Sequence, residues 1–390
     1  MDIPKSQRLL ELRMTFTPSA PVTRQDAFAG RQPQILKAAG GIASPGRHVV
    51  LYGERGVGKT SLSNVLASVL GSMSAGFALA SVRVNCNVNT TFASLWSEIG
   101  RELHLDVPDS WRYETPSPEA VRHLLEAVIP PTIIVIDEYD RHEDDTALSL
   151  MADTIKTLSD HLVATKLVLV GVADDVDALV GEHESVRRAL DQVMVPRMTP
   201  DEIQEVVEKG LGRVGISASD DAMRRIVRLA EGLPSYAHAL PLEAGTHAVA
   251  DDRGTIVADD INVAIREIVN NHTSRSSYLK ATQSQRKDNN FASVLAACAL
   301  ADKDELGYFA PFAVREPLSA ILQRRVDIPS YARHLASFLS PERGSVLDRT
   351  GEIRRYRYRF RDPMLQPFAV MAAIDAGLIP QDYQDGLFRA

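Results

Sequence analysis

Covalent staples are scarce in this 390-residue sequence: it holds two cysteines, Cys86 and Cys298, far apart and neither in a C-x-x-C pair. Disulfide scaffolds and structural zinc are set aside on that ground, and a reducing compartment fits. No uninterrupted apolar stretch approaches the roughly 18 residues of a membrane span. The opening Met1-Asp2-Ile3-Pro4-Lys5 lacks the basic-then-apolar pattern of a secretion signal. The expectation is a cytoplasmic protein with no membrane partner. There is no H-E-x-x-H, no Cys/His cluster at zinc spacing and no G-x-S-x-G elbow, and the ten histidines are scattered. Nothing therefore speaks for a protease, a zinc enzyme or a serine hydrolase. Excess positive charge is lacking too, with 51 acidic against 43 basic residues and a net charge of −8. That argues against a chain basic all over, though not against a local basic surface.

What is present is ample apolar content, 45% hydrophobic against 24% charged. At about 150 residues per domain the length fits two or three packed domains.

The sharpest signal is Gly53-Glu54-Arg55-Gly56-Val57-Gly58-Lys59-Thr60, which fits G-x-x-x-x-G-K-[ST] at every position. His48-Val49-Val50-Leu51-Tyr52 before it reads as a short buried strand. Ser61 to Leu70 after it reads as a helix, with apolar residues at 62, 65, 66, 69 and 70. Glycines let a backbone wrap phosphate oxygens and aim its N–H groups at them, and the helix N-terminus adds partial positive charge. Lys59 is expected to reach the β- and γ-phosphates of a nucleoside triphosphate, with Ser61 closing the loop, and the Thr60 hydroxyl to ligate Mg²⁺. A second element agrees. Ile133-Ile134-Val135-Ile136 is a continuous β-branched run ending in Asp137-Glu138, as a buried parallel strand with acids at its carboxyl end would read. Asp137 is expected to hold the Mg²⁺ ion and Glu138 to orient or deprotonate the attacking water. The run Glu143-Asp144-Asp145 reads as a solvated loop.

These residues resemble the AAA+ branch of phosphate-loop ATPases, most of all the origin-recognition and cell-division-control type of initiator ATPase, with features of the STAND class of signalling ATPases. Phe28-Ala29-Gly30-Arg31 looks like the family's adenine-side turn. Val82-Arg83-Val84-Asn85-Cys86 looks like its second strand, and Leu167 to Asp175 like the strand that carries sensor 1. Gly232-Leu233-Pro234 looks like the G-x-P turn of a STAND lid. The resemblance implies ATP and Mg²⁺ as cofactors, low turnover, and binding contacts at Gly30, Arg31 and Pro234 besides the phosphate loop. It also implies self-association in many members. Two departures stand out. The position matching sensor 1 is Asp174 rather than Asn, and a carboxylate there repels a γ-phosphate unless a cation intervenes. No Arg occupies the sensor-2 place; His238, which follows at helical spacing, reads as a lid residue before a sensor. Arg187 and Arg188 lie where an arginine finger is often found, or form an exposed helical pair.

The chain divides by pattern. Residues 1–22 read as a tail or a short helix, and 23–197 as a parallel sheet with helices on both faces, carried by apolar runs at 48–52, 81–84, 133–136, 167–170 and 193–195. Trp96 falls on the apolar side of an amphipathic helix and is expected in the core. Thr199-Pro200-Asp201-Glu202 is a helix start, opening an all-helical lid over 198–272. Residues 273–290 read as a polar linker with a possible short helix. Residues 291–390 read as a winged-helix domain: helices at 315–325 and 330–339, then strands at 344–347 and 353–360 around Asp348-Arg349-Thr350-Gly351-Glu352.

In Arg355-Tyr356-Arg357-Tyr358-Arg359-Phe360-Arg361 period two places the aromatics on one face and the arginines on the other. Residues 324–361 hold ten arginines, no lysine and four acids, a local +6 that leaves −14 for the remainder. Such asymmetry is a footprint of nucleic-acid binding. Arg333 and His334 are expected to approach the DNA groove, and Arg355, Arg357, Arg359 and Arg361 its backbone. A solvated strand face or a docking site for a protein partner remains the other reading. Two functions from different classes follow. One is an ATPase that couples nucleotide state to DNA through the winged helix. The other is an ATP-dependent switch or scaffold whose target is a protein.

Overall fold

The computed structural model describes residues 4–23, 28–73, 80–141, 145–173, 176, 179, 184–284, 289–352 and 355–389. They form two compact units: an α/β unit, Pro21–Pro196, and a helical unit, Met1–Ala20 with Arg197–Ala390.

The α/β unit is built on five parallel strands, β1 (His48–Gly53), β2 (Ala80–Asn85), β3 (Thr132–Asp137), β4 (Lys166–Val172) and β5 (Leu190–Met194), in the order β2-β3-β4-β1-β5. The three central strands are the β-branched runs of the sequence; Val49, Val50, Leu51, Ile134, Ile136, Val168 and Leu169 are fully buried. Strands covered on both faces need that continuous apolar character. The edge strands β2 and β5 alternate with partly exposed positions instead. Helix α2 (Gln32–Ala43) precedes β1, and α3 (Lys59–Met73), α4 (Phe92–Glu102), α5 (Pro118–Glu126), α6 (Asp145–Asp160) and α7 (Glu184–Ala189) lie between the strands in sequence. Thr91 and Ser94 close a reciprocal capping box on α4, satisfying two donors that a helix start leaves unpaired. Trp96 of that helix is buried, as its spacing required, packed edge-on to Phe92 at 6.1 Å.

One core residue is a proton acceptor held dry. His48 in β1 is buried and its Nδ1 accepts the Leu167 N–H at 3.0 Å. Burial, helped by Lys166, pushes its imidazole down to about 3. In the unfolded chain the same group takes a proton near 6.5. Below that pH the unfolded state therefore binds a proton that the native state refuses. Stability is fully present above about 6.5 and is lost, at up to about 1.4 kcal/mol per pH unit, as pH falls toward 3. His48→Asn keeps an acceptor for Leu167 and should reduce the pH 7 to pH 5 stability difference by about 2 kcal/mol. Urea midpoints at both pH values check this, and an unchanged difference would assign the acid sensitivity elsewhere.

In the helical unit, α1 (Lys5–Thr15) packs on α8 (Pro200–Val214) and α10 (Pro234–Ala250). Leu12 and Phe16 are buried, and a Cβ on Gly210 would come 2.4 Å from Phe16 Cζ, so that close approach requires glycine. The first residues are thus a packed helix rather than a tail. Helix α8 starts as read from sequence, with a Thr199/Glu202 capping box and Pro200 in its first turn, and it stops at Gly215 with φ 70°. α9 (Asp220–Ala230) and α11 (Ala258–Asn271) complete four lid-region helices, tied by the two-residue pair β6 (Ser217–Ala218) and β7 (Thr255–Ile256).

The stretch expected as a linker contains α12 (Ser274–Thr282), whose Tyr278 ring meets Phe368 at 5.5 Å and whose Ala281 is buried. The short helix that the sequence allowed within the linker is present, anchored by a few residues. There follow α13 (Phe291–Leu300), α14 (Arg315–Ile321) and α15 (Ile328–Phe338). An antiparallel hairpin of β8 (Leu347–Thr350) and β9 (Arg357–Phe360) comes next, then α16 (Leu365–Asp375) and α17 (Gln381–Arg389). The described part of the second hairpin strand is shorter than the sequence reading of 353–360. The regions read separately as lid, linker and carboxyl-terminal domain fall within one compact unit.

Candidate nucleotide site and arginine-edged hairpin

In a parallel sheet the carboxyl ends of the strands share one edge, where ligands of this architecture lodge. The loop after β1 and the acids ending β3 lie on that edge, separated by β4. β1 ends at Gly53 with φ 141°, and a Cβ there would sit 2.5 Å from the Val195 carbonyl oxygen. Gly56 and Gly58 also have positive φ, 83° and 94°. Val57 between them is buried and plugs the loop onto the body. Glu54 is half-buried, while Arg55 and Gly56 are exposed. Helix α3 begins at Lys59, two residues before the sequence reading had it.

Lys59 Nζ donates to the Gly53 and Glu54 carbonyls at 2.9 and 2.8 Å. Burial pushes its ammonium down to about 8 against the opposing pull of Asp140, Asp137 and Glu54. Thr60 Oγ1 donates to Asp137 Oδ2 at 2.8 Å, and the other carboxylate oxygen accepts the Glu138 N–H at 2.9 Å. A hydroxyl and a buried carboxylate side by side are hard oxygen donors, the set a small divalent cation takes. Glu138 has φ 54°, and its exposed carboxylate pairs with Arg141 at 3.0 Å. Gly30 and Arg31 both have positive φ, 71° and 63°. The buried Arg31 guanidinium donates to the Val57 carbonyl at 2.9 Å, tying this turn to the glycine loop. Ser61 Oγ accepts the Val22 N–H at 3.0 Å and Asn64 donates to the Val22 carbonyl at 3.2 Å, which fixes the preceding segment along α3.

Sequence reasoning missed one group. Arg83 of β2 donates to Asp137 Oδ2 and to Asn64 Oδ1, with Nε 3.4 Å from Asn85 Oδ1. The signal was an arginine inside an otherwise apolar strand, read only as part of a family pattern.

The remaining expected site residues belong to other elements. Pro234 is the first residue of α10 in the helical unit. His238 accepts the Thr17 N–H at 3.1 Å and meets the Phe16 ring edge-on at 5.8 Å, a packing role. Burial pushes its imidazole down to about 4. Arg187 and Arg188 are exposed on α7, and the Arg188 carbonyl accepts from Arg47 at 2.6 Å. Asp174 lies outside the described residues.

In the hairpin, the alternation read from sequence is present. Tyr358 and Phe360 are buried, and Arg355, Arg357 and Arg361 are exposed. Phe309 pairs with Tyr358 through two backbone bonds of 2.8 Å, adding a third segment beside β9. Two arginines are already matched by acids: Arg357 by Asp304, and Arg361 by Asp348 at 2.8 Å. Arg359 and Arg357 stand over Tyr308 at 4.6 and 5.2 Å, and Arg349 over Tyr356 at 4.2 Å. Arg333 is exposed on α15, but His334 is not available to a groove. It is 4% exposed and faces the Phe291 ring at 4.8 Å. The helical register turns it inward, a point that naming neighbouring polar residues had overlooked.

Residues 42–180 match the AAA domain family. A stretch of 65 residues is 42% identical to the ABC transporter ATP-binding protein/permease wht-3 of Caenorhabditis elegans; it makes up 16% of this chain and spans 11% of that protein. Among solved structures the chain is similar to the Walker-type ATPase paby2304 of Pyrococcus abyssi. The TM-score is 0.51 with 16% identity, over 90% of this chain and 98% of that one. The ORC2 protein of Aeropyrum pernix aligns at a TM-score of 0.49 and 15% identity, over 94% of this chain and 98% of that one. At these identities the structural likeness speaks for fold alone. The α/β unit, with its glycine loop between β1 and α3 and its acids at the end of β3, is an AAA domain of the phosphate-loop fold.

Proposed function

We propose that the chain is a magnesium-dependent ATPase of low turnover whose nucleotide state governs engagement of duplex DNA by a winged helix formed from α14, α15 and the β8–β9 hairpin. The observation that carries the nucleotide half is the convergence of Thr60 on Asp137 beside the buried Lys59. In this reading the loop N–H groups from Gly53 to Thr60 and Ser61 cradle the phosphates, and Lys59 leaves its two carbonyls to bind phosphate oxygens. Gly30, Arg31 and Pro234 serve the adenine side. Thr60 and Asp137 hold the metal, which when bound neutralises charge on the phosphates. Glu138 orients the attacking water and accepts its proton.

The DNA half rests on the exposed arginines of the hairpin and on Arg333. Each phosphate contact contributes roughly 0.9 to the slope of log affinity against log salt. Neutralising Arg355, Arg357 and Arg359 together is expected to weaken duplex binding and reduce that slope by up to about 2.7. Binding measured with ATP, with ADP and without nucleotide across a salt series tests both halves. Duplex affinity indifferent to nucleotide would sever the proposed coupling.

A second reading has its own support. Asp304 and Asp348 neutralise two of the arginines, and Tyr308 and Tyr356 pack against others. Such a face suits a protein surface as well as a phosphate backbone. In that reading ATP sets the arrangement of a STAND-like switch that docks a protein partner or another copy of itself. No duplex binding by the wild type at low salt would select it.

A further inference from the structure

We infer that Arg83 is a built-in counter-cation for Asp137, competing with the divalent metal for one carboxylate oxygen and so setting how strongly nucleotide binding depends on magnesium. The inference rests on the nucleotide reading above.

Its basis is position. Asn85 pairs with Asp137 and Arg83 with Val135 across the β2–β3 ladder. Side chains two residues apart on a strand share a face, so Arg83 and Asn85 stand beside Asp137, whereas Val82 and Val84 point the other way. Three acceptors hold the guanidinium: Asp137 Oδ2, Asn64 Oδ1 on α3 and Asn85 Oδ1. Asn64 is itself anchored to the Val22 carbonyl. The pair is sheltered, with side-chain exposures of 27% for Arg83 and 6% for Asp137. A charge pair in such a place is screened less by salt than a surface pair.

The competition follows from the atoms. Oδ1 of Asp137 is engaged by the Glu138 N–H, which leaves Oδ2 to meet a cation, and Oδ2 is the atom that Thr60 and Arg83 both address. A metal taking Thr60 and Asp137 as ligands would replace the Thr60 hydrogen on Oδ2 and share that oxygen with the guanidinium, so two cations would press on one carboxylate oxygen. With Arg83 in place, a triphosphate drawn to Lys59 does not face a bare carboxylate, so it can bind with little metal present. With Arg83 removed, the carboxylate repels it until a metal arrives.

The test is nucleotide affinity, measured with a fluorescent ATP analogue, in excess magnesium and in EDTA. For the wild type the two affinities should lie within about tenfold of each other. Arg83→Met should bind at least about tenfold more weakly than the wild type in EDTA. In magnesium it should bind as tightly or more tightly, with half-saturation at about a tenth of the metal concentration. Arg83→Lys should restore the wild-type pattern in part, and Asn64→Ala should shift it in the direction of Arg83→Met by less. Equal losses with and without metal would mean that Arg83 only supports the fold. No change in either condition would also overturn the inference. Failure of the wild type to bind ATP in both conditions is a different result: it removes the nucleotide reading itself.

Discussion

Lys59→Met should lose ATP binding by at least about a hundredfold. The ammonium is a buried charge of the glycine loop that can leave its present partners. It donates to two backbone carbonyls, Gly53 and Glu54, and its burial makes retaining the proton costly without an anion. Phosphate oxygens satisfy the same donors with opposite charge. Charge-assisted bonds contribute about 1.5–3 kcal/mol each. Two of them correspond to roughly two to four orders of magnitude in affinity. Methionine keeps the aliphatic stem and so keeps the packing against the loop, and thermal unfolding checks that the variant is folded. Calorimetric titration with ATP and magnesium gives the answer. Wild-type affinity in this variant would mean that the loop does not grip phosphate.

Glu138→Gln should bind ATP as the wild type does and turn it over about 10² to 10³ times more slowly. General base assistance by a positioned carboxylate is worth about that much, and an amide of the same shape cannot accept the proton. The residue sits at positive φ just after the buried strand end, so its side chain leaves the body rather than entering it. Its contact with Arg141 at 3.0 Å is exposed, and an exposed pair costs little to break when a water must be engaged. Binding affinity and phosphate release should therefore separate. Wild-type turnover in the variant would take Glu138 out of the chemistry, and loss of binding would give it a structural place.

The parts of the molecule that repeat a pattern could be read in one dimension. The glycine loop, the β-branched runs of β1, β3 and β4, the capped start of α8 at Thr199 and the alternation at 355–361 each follow from local periodicity or turn chemistry. Features decided by distant chain segments could not. The Arg83 guanidinium meets Asp137 only because β2 lies beside β3, and the acids that neutralise Arg357 and Arg361 come from outside the strand that carries them. His334 shows the same limit on a smaller scale, for its neighbour Arg333 is exposed while it is buried. Composition left two readings open where few residues anchor a helix, as in α12 and at the amino-terminal α1.

The root of the glycine loop has a mechanical consequence. Gly53 leaves no gap beneath the Val195 carbonyl, and Val195 in turn donates its N–H to Tyr52 at 2.8 Å. Arg197, two residues later, begins the helical unit. The glycine loop is thus rooted on the segment that ends the α/β unit. A methyl group at position 53 would load its steric push onto that segment and unseat the loop at its root.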